Sequence, residues 1–525
     1  MSVFRSAFTV SFFISISRIL GFIRDIIIAN YIGVSILSDA FFAAFRVPNF
    51  FRRVLGEGAM NSSFVPIFIE KVKDKNNNIE AKIFLQNVFS ILLYVLLIIT
   101  LIFQLLMPFL MKILFPGFAK DPEKFFLLVN LSRITIFYLI FICLVALLSG
   151  VLNSLSKFAV PSSSPIILNL TLILSIFVFE KYVPNYAYAL AIGVFVAGIL
   201  QFSWLLYFTL KQRILLFPKM ISLKLFSNSD VKKFYKRMIP AAIGGNVLQI
   251  NLLVDSIFAS MMFGAVSYLY YADRINQLPL AMIGIAISVA LLPSLTRKIK
   301  DHDIDGAIKM QNLAVEIGLI MVIPATLALT CLSESIISAL FERGKFSHDE
   351  TIVVGKALML YSFGLPAYVL VKVMEPAFFS RGDTKSPMFI AFICLFSNLF
   401  FNSIFFFNNF DYQGIILSSI ISSYLNLFLL ISKLIKKKHF YFEKKFSKKM
   451  IQIIIPSVIM AFILVILNNN LSEYLFGKII KLIIVIFVGL ITYFIAAYYS
   501  GSLKIITQSI FISSLKNRYF KRFSK

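Results

Sequence analysis

Long apolar stretches constrain this chain more than any other feature of its sequence. A helix needs about 20 apolar residues to cross a bilayer, and 59% of the 525 residues are hydrophobic. Because the runs are continuous rather than alternating, they predict helices and not barrel strands. The sequence therefore predicts an all-α, polytopic membrane protein of 14 transmembrane helices. They are expected at residues 8–31, 39–64, 84–111, 125–150, 159–180, 186–210, 238–262, 266–295, 307–332, 352–379, 387–407, 412–435, 450–468 and 478–500.

The basic residues are distributed unevenly along the chain, which has a net charge of +26. With the N-terminus inside, most of the 51 Lys and Arg residues fall in inner loops and at the two ends. This positive-inside pattern predicts that both termini are cytoplasmic. The largest basic runs, 211–237 and 433–449, are expected to lie against anionic lipid headgroups, so membrane lipids and not nucleic acid are the expected partners of this charge.

Several kinds of chemistry lack their sequence signatures. The three cysteines, Cys143, Cys331 and Cys394, lie in or at the edges of predicted helices and predict neither disulfides nor a metal cluster. No phosphate-binding loop is present, because the Gly-Lys pairs lack the upstream glycine. We therefore expect no cofactor, no ATPase and no enzymatic activity, and any transport would be secondary.

Predicted helices 1–6 and 7–12 are two copies of one unit. The matched positions are Asp25 and Asp255, Gly33 and Gly264, Pro48 and Pro279, Gln86 and Gln311, Gly117 and Gly344, and Pro161 and Pro387. Since six is an even number, both copies enter the membrane from the same side and form a parallel repeat. Transporters of this design place their site between the two halves, around a central cavity, and rock the halves to alternate access.

The repeat divides the chain into five predicted regions. They are an N-terminal six-helix half (1–212), a basic cytoplasmic linker (213–237), a C-terminal six-helix half (238–436), two extra helices (437–501) and an amphipathic basic tail (502–525). Proline in a helix interior removes a hydrogen bond and bends the helix. The equivalent residues Pro48 and Pro279 therefore predict either static kinks or hinges at which each half bends.

Charged residues lie at membrane depth, where each costs at least about 2.5–3.5 kcal/mol. They are Arg18, Arg24 and Asp25 in helix 1, Arg46, Arg52, Arg53 and Glu57 in helix 2, and Asp273 and Arg274 in helix 8. A guanidinium group can bind two phosphate oxygens at once, which favours an anion-binding cavity. The alternative is that arginines and carboxylates pair internally and only brace the helices.

A second set of polar residues predicts a monovalent cation site in the second half. Asp255 is the only acid in helix 7, Asn398 and Asn402 lie one turn apart on helix 11, and Ser418 lies on helix 12. Interhelical hydrogen bonding by Asn and Ser is the structural alternative.

Several segments closely resemble the MurJ (MviN) lipid II flippases, within the multidrug/oligosaccharidyl-lipid/polysaccharide exporter group. They are the run from Arg18 to Pro66, YYADR at 270–274, the loop ending at Pro161, and GDTKSP at 382–387. The resemblance implies a cavity that binds the substrate through Arg18, Arg24, Asp39, Arg52 and Arg274, with Glu57 and Ser267 in support. A family glutamate is Gln277 here. The resemblance also implies that helices 13 and 14 form a groove for the lipid tail.

The resemblance implies that the chain moves lipid II, the undecaprenyl-diphosphate-linked disaccharide-pentapeptide, to the outer leaflet of a bacterial cytoplasmic (inner) membrane. The driving force would be the membrane potential or a gradient of Na⁺ or H⁺ as coupling ion. Wall-synthesis enzymes are possible partners. The alternatives are a flippase for another polyprenyl-diphosphate-linked oligosaccharide, a drug/cation antiporter, and a non-transporting scaffold. The extra helices and the arginines disfavour the antiporter, and a scaffold needs no arginines at membrane depth.

Overall fold

The computed structural model describes residues 3–54, 60–73, 78–212, 218–219, 228–244, 247–443 and 445–507. Within these ranges the chain is helical and contains no strand, which confirms the predicted all-α class. Of the residues with predicted roles, Glu57 lies outside the described ranges, as do 508–525 of the predicted tail.

The helices are numbered here in chain order. The first ten are α1 Val3–Ile32, α2 Ile36–Phe51, α3 Met60–Lys73, α4 Asn78–Leu114, α5 Pro122–Thr135, α6 Tyr138–Ser154, α7 Ala159–Phe179, α8 Tyr186–Lys211, α9 Ser229–Gly244 and α10 Val247–Ala259. The others are α11 Ala265–Pro279, α12 Ala286–Lys300, α13 Ile304–Phe341, α14 His348–Phe379, α15 Lys385–Phe407, α16 Tyr412–Lys436, α17 Phe446–Asn470, α18 Glu473–Ser500 and α19 Ser502–Thr507.

Eleven helical spans in the described residues are long and apolar enough to cross a membrane. They correspond to eleven of the fourteen predicted segments, so the multi-pass architecture is confirmed but the count of fourteen is not. The three others are 8–31, 39–64 and 238–262. The first is the charge-bearing α1, and the other two contain residues 55–59 and 245–246, which lie outside the described ranges.

Local sequence signals fix where several helices begin. Ser35 caps α2 and Ser347 caps α14, each in a capping box that satisfies two of the unpaired N–H groups. Asp121 caps α5 immediately before Pro122, which favours the first helical position. Asn185 caps α8 through its side-chain oxygen, which accepts from backbone N–H groups of the first turn. The caps of Ser35 and Asp121 fix the starts of α2 and α5, where the main polar cluster lies.

The chain divides into two compact units, which are described separately. The first comprises Met1–Ser267 with Arg343–Phe346, and α6 supplies much of its core, with a nearly continuous buried face from Tyr138 to Leu152. The second comprises Tyr268–Glu342 with Ser347–Lys525, and its core lies along α13 and α14.

The two matched prolines are each followed by π-helical backbone. Pro48 lies inside α2, and residues 52–54 are π-helical; Pro279 ends α11, and Leu280–Ile285 forms a π-helix. Proline has no N–H to donate to the carbonyl four residues earlier. For Pro48 that carbonyl belongs to Ala44, and the hydroxyl of Thr135 donates to it at 3.1 Å. The carbonyl that Pro48 leaves without its helical partner thus has a partner on a neighbouring helix.

The two helices beyond the repeat, α17 and α18, are the most apolar pair of the second unit. In the most apolar stretch of α18 only 17% of the residues are buried, although its mean hydropathy is 2.7. The hydroxyl of Tyr493 donates to the carbonyl of Ile320 at 2.6 Å, which connects α18 to α13. The remaining surface of α18 is suited to contact with lipid.

Candidate functional site

Asp39 lies at the centre of a buried polar cluster in the first unit, and its side chain is 0% exposed. Its Oδ1 accepts hydrogen bonds from the backbone N–H of Ser267 at 3.0 Å and from the Ser267 hydroxyl at 2.7 Å. Its Oδ2 accepts from the Gly264 N–H at 3.0 Å and from Lys124 Nζ at 2.8 Å. Four donors therefore satisfy this carboxylate.

The same carboxylate caps α11 from another helix. Gly264 immediately precedes α11 and Ser267 is its third residue, so Asp39 accepts two of the N–H groups that a helix start leaves without partners. The negative charge also complements the positive end of the helix dipole. Gly264 has a φ of +72°, which favours glycine at this turn. The cluster therefore joins the start of α2 to the start of α11.

Lys124 is the member of this cluster that the sequence analysis did not predict. It is buried on the first turn of α5, ion-paired to Asp39, with its ammonium 4.0 Å from the centre of the Phe118 ring. A cation on the first turn of a helix is disfavoured by the helix dipole. Such a position in an apolar segment is a signal that the lysine has an acidic partner elsewhere.

Two matched glycines make close backbone contacts nearby. A Cβ on Gly117 would lie 2.1 Å from the carbonyl oxygen of Ser260, and the Gly117 N–H donates to the Ser260 hydroxyl at 3.1 Å. A Cβ on Gly344 would lie 2.3 Å from the carbonyl oxygen of Asn30, which accepts from the Lys345 N–H at 2.9 Å. Both contacts therefore require glycine, and both involve the loop that follows the third helix of a repeat.

Arg24 and Asp25 form a buried ion pair in α1. Arg24 Nη2 lies 2.6 Å from Asp25 Oδ1, and the two side chains belong to residues that are 7% and 0% exposed. Arg24 Nη1 also donates to Asn169 at 3.0 Å, and Asn169 donates to the carbonyl of Ser17. This arrangement agrees with the internal pairing weighed above as the alternative to anion binding. Arg18, on the same helix, is exposed.

Three half-buried arginines lie at the far end of α2 from Asp39. Arg46 donates to the carbonyl of Leu252 and to the hydroxyl of Ser256, and Arg53 donates to the side-chain oxygen of Gln249 at 3.3 Å. These bonds reach α10. Arg52 instead donates from Nε to Asn49 Oδ1 at 2.8 Å, three residues earlier in the chain.

The described bonds of these three arginines are to oxygens of neutral groups, which orient a guanidinium without changing its charge. At about 1.5 Å per residue, Arg46 lies about 10 Å and Arg53 about 20 Å along the helix from Asp39. The predicted anion-binding residues of helix 2 therefore occupy one end of α2, whereas Asp39 occupies the other.

The remaining predicted residues fall in both units. Asp273 and Arg274 are half-buried on α11 in the second unit, where Gln277 donates to the Asp273 carboxylate. Gln277 thus acts here as a hydrogen-bond donor. Of the predicted cation ligands, Asp255 is buried in the first unit.

The other predicted cation ligands are buried in the second unit and bond to their neighbours. Asn402 donates to Asn398 at 3.0 Å, Asn398 donates to Ser419 at 3.3 Å, and Ser418 donates to the carbonyl of Gly414 at 2.8 Å. These contacts are the interhelical and local bonds expected of Asn and Ser in membranes. The cation site stays a prediction.

Comparisons with known proteins cover most of the chain. A family model described as "Lipid II flippase MurJ" matches residues 28–487. The "Probable lipid II flippase MurJ" of Rickettsia prowazekii (strain Madrid E) is 36% identical over 506 residues, covering 95% of this chain and 98% of the relative. That of Rhizobium tropici is 37% identical over 504 residues, covering 93% and 92%.

Solved structures are similar in fold as well. A structure described as "Lipid II flippase MurJ, inward closed conformation" superposes with a TM-score of 0.78 at 28% identity, covering 93% of this chain and 97% of that one. An inward-facing multidrug transporter of the MATE family and MOP superfamily gives 0.63 at 13% identity, covering 81% and 93%, which is a likeness of fold alone. With the family model matching most of its length, this chain belongs to the MurJ family of lipid II flippases.

Proposed function

We propose that this chain moves lipid II from the cytoplasmic to the outer leaflet of a bacterial cytoplasmic membrane, without making or breaking a bond. The observation that carries the proposal is the family match over residues 28–487. The arginines of α2 add chemical support to this proposal. The diphosphate is the strongly anionic group that every lipid II molecule carries across the membrane. Guanidinium groups suit it through bidentate hydrogen bonds.

The arginines differ in their burial and in their described partners in this conformation. Arg24 is buried and committed to Asp25 and Asn169, so we assign it a positioning role within α1. Arg52 and Arg53 are half-buried near the π-helical end of α2, with side chains partly exposed. We assign diphosphate binding to these two arginines. A role for Arg274, which lies in the second unit, stays a prediction.

Transport by alternating access requires one end of the pathway to open while the other closes. The Asp39 cluster ties α2 of the first repeat to the start of α11 of the second, on the side predicted to face outward. The three hydrogen bonds that Gly264 and Ser267 donate to Asp39 would have to break for release to that side. Bending at Pro48 and Pro279, each next to π-helical backbone, would allow each repeat to move.

The lipid tail does not need an aqueous route. We assign it to the apolar surface of α17 and α18, which lies outside the repeat and is largely unburied. The tail would stay in the bilayer while the charged head crosses through the protein. The membrane potential, or Na⁺ or H⁺ as coupling ion, would drive the cycle, and wall-synthesis enzymes would receive the product.

The test is to deplete the protein in cells and measure how much lipid II is accessible from outside. The proposal predicts that outer-leaflet lipid II falls while total lipid II does not. Unchanged exposure would contradict it. If exposure of another polyprenyl-diphosphate-linked oligosaccharide fell instead, the chain would be a flippase for that lipid, since a diphosphate is common to both.

A further inference from the structure

A basic cavity of about 460 Å³ lies at one end of the second unit, apart from the residues discussed above. It is formed where α14 ends, α15 begins and α16 ends, on the side predicted to be cytoplasmic. Its polar lining consists of Arg381, Asp383, Lys385, Ser386, Lys437 and His439. Three of these side chains are cations and one is an acid, so the cavity carries net positive charge even with the histidine neutral.

Part of this charge has a structural explanation. The helix α14 ends in a tight turn with Gly382 at a φ of +72°, and α16 ends in a similar turn with Lys438 at +56°. Carbonyl groups at helix ends attract cations. Arg381 Nη1 donates to the carbonyl of Ala377 at 2.6 Å and so closes the end of α14. A guanidinium has several N–H donors, and the bond to Ala377 uses only one of them.

The acid in the cavity is already committed. Asp383 accepts from Lys437 Nζ at 2.6 Å and from the N–H and hydroxyl of Ser386 at 2.9 and 2.8 Å. Burial acts to raise the pKa of Asp383, but these hydrogen bonds outweigh it and lower the pKa to about 2. Asp383 therefore neutralises Lys437 and organises the loop. The described bonds of Asp383 involve neither Arg381 nor Lys385, so they do not account for the positive charges of these two residues.

The environment of His439 reports the same positive potential. Burial lowers the pKa of this imidazole, and the charges of Arg381 and Lys437 lower it further, against the opposing effect of Asp383. Two cations therefore lie close enough to His439 to disfavour a further positive charge there. An anion in the cavity would relieve that repulsion.

The first repeat provides an internal comparison. Its equivalent loop has the same backbone, with Ser156 at a φ of +60° and the Lys157 N–H donating to the carbonyl of Leu152 at 2.8 Å. In the second repeat the Asp383 N–H donates to the carbonyl of Phe378 at 3.1 Å.

The side chains of the two loops differ. Leu155 and Ala159 occupy the positions equivalent to the two unexplained cations, Arg381 and Lys385. The turn therefore forms without these charges.

Apolar side chains flank the cavity on the same three helices. The exposed side chains are Phe379 at the end of α14, Met388 and Phe389 near the start of α15, and Ile435 at the end of α16. A ligand that joins a phosphate to acyl chains would satisfy both surfaces, and basic pockets between membrane helices are typical sites for anionic headgroups.

We infer that this cavity binds a phosphate group, with Arg381 and Lys385 as its cationic ligands and the Ser386 hydroxyl as a further donor. The exposed apolar flank favours an anionic phospholipid headgroup as the source of that phosphate over a soluble phosphate. This site is separate from the arginines of α2, and its occupancy is measurable without transport.

The test uses the full-length protein in phosphatidylcholine nanodiscs that contain a minor fraction of phosphatidylglycerol. Native mass spectrometry then gives the number of phosphatidylglycerol molecules retained. We expect the affinity to fall about fivefold for each charge removed in Arg381→Gln/Lys385→Gln, from roughly 1 kcal/mol per basic residue. The matched control is Lys436→Gln/Lys438→Gln, which removes the same charge from exposed positions on the same face, outside the cavity lining.

Equal losses in the two double variants would overturn the proposal, because the effect would then be that of surface charge in general. Retention of phosphatidylglycerol by wild-type protein in excess inorganic phosphate would assign the site to lipid, and displacement would assign it to soluble phosphate. No binding of either probe would overturn the proposal. If the double variant failed to fold, Lys385→Gln alone would decide, since Lys385 is exposed and its expected loss is fivefold.

Discussion

The two ends of α2 differ in how they hold charge. At its start, Asp39 is completely buried and its two oxygens accept four hydrogen bonds from three residues. At its other end, Arg46, Arg52 and Arg53 are half-buried and bond to amide, hydroxyl and carbonyl oxygens. The first arrangement is a structural joint between the starts of α2 and α11, because removal of any of its partners leaves a buried polar group unsatisfied. The second keeps cationic groups oriented and partly exposed, as a site for an anion requires.

The largest effect on the free energy of unfolding is expected from a substitution at Asp39, which breaks this joint. Asp39→Asn removes the charge that pairs with the buried Lys124, and a broken buried pair costs about 3–5 kcal/mol. We expect a loss of that size in the free energy of unfolding, measured by titration with a denaturing detergent. Asp39→Asn/Lys124→Met removes both charges and should lose less. A change under about 1 kcal/mol in the single variant would show that the cluster is not a joint.

The next effect concerns the close backbone contact near that end. In Gly344→Ala the new methyl group would meet the Asn30 carbonyl oxygen, and Gly344 has a φ of +59°. The matched control is Gly382→Ala, where φ is +72° but no atom lies within 4 Å of the new Cβ. Both variants incur about 1 kcal/mol of backbone strain. We expect Gly344→Ala to lose about 1–3 kcal/mol more in the free energy of unfolding, from the overlap.

Equal losses in Gly344→Ala and Gly382→Ala would show that the contact with Asn30 relaxes freely. The packing around Gly344 and Asn30 would then be less tight than the short distance from the Gly344 Cβ position to the Asn30 carbonyl oxygen indicates.

A smaller effect is expected from a more exposed ion pair. Glu342 lies 2.8 Å from Lys478 and accepts from the Ser338 hydroxyl at 2.5 Å. Burial acts to raise the pKa of Glu342, but these contacts outweigh it and lower the pKa from 4.5 to about 2. Because the folded pKa is the lower one, the stabilisation is present above pH 4.5 and is lost as the pH falls toward 2.

Thermal unfolding of wild type and Glu342→Gln across that range measures this contribution. The difference between the two proteins should shrink as the pH falls from 4.5 to 2. A difference that stays constant with pH would contradict the assignment of the low pKa to Glu342.

The smallest stability effect is expected from the arginines. Arg53→Gln removes a half-buried hydrogen bond to Gln249, which contributes about 1 kcal/mol or less. The free energy of unfolding, measured as for Asp39→Asn, should therefore change little. A loss above about 3 kcal/mol would place Arg53 in a structural role like that of Asp39.

Features that depend on local sequence were predicted well. Gly33 and Gly264 match in the repeat, and both have positive φ. Arg24 and Asp25, which are adjacent in the sequence, form an internal ion pair of the kind that the sequence left as the alternative to anion binding. The apolar runs predicted the long helices, but not the end of α2 at Phe51, because the run continues beyond it.

Features that depend on distant contacts were not predicted. Lys124 pairs with a residue 85 positions away, and no period or motif connects the two. The cap that Asp39 provides for α11 spans 225 residues to Gly264. Such partners are set by how helices pack, which the pattern of a single sequence does not specify.

The most direct test of the arginine site is the affinity of purified full-length protein for lipid II, comparing wild type with Arg52→Gln and with the control Arg133→Gln. Arg133 is also at the end of a helix but is exposed, so its variant removes the same charge without touching α2. We predict that Arg52→Gln lowers the affinity at least about tenfold, as expected for a lost charge-assisted bond to phosphate, while Arg133→Gln does not. Equal affinities of wild type and Arg52→Gln would contradict the assignment of diphosphate binding to this end of α2.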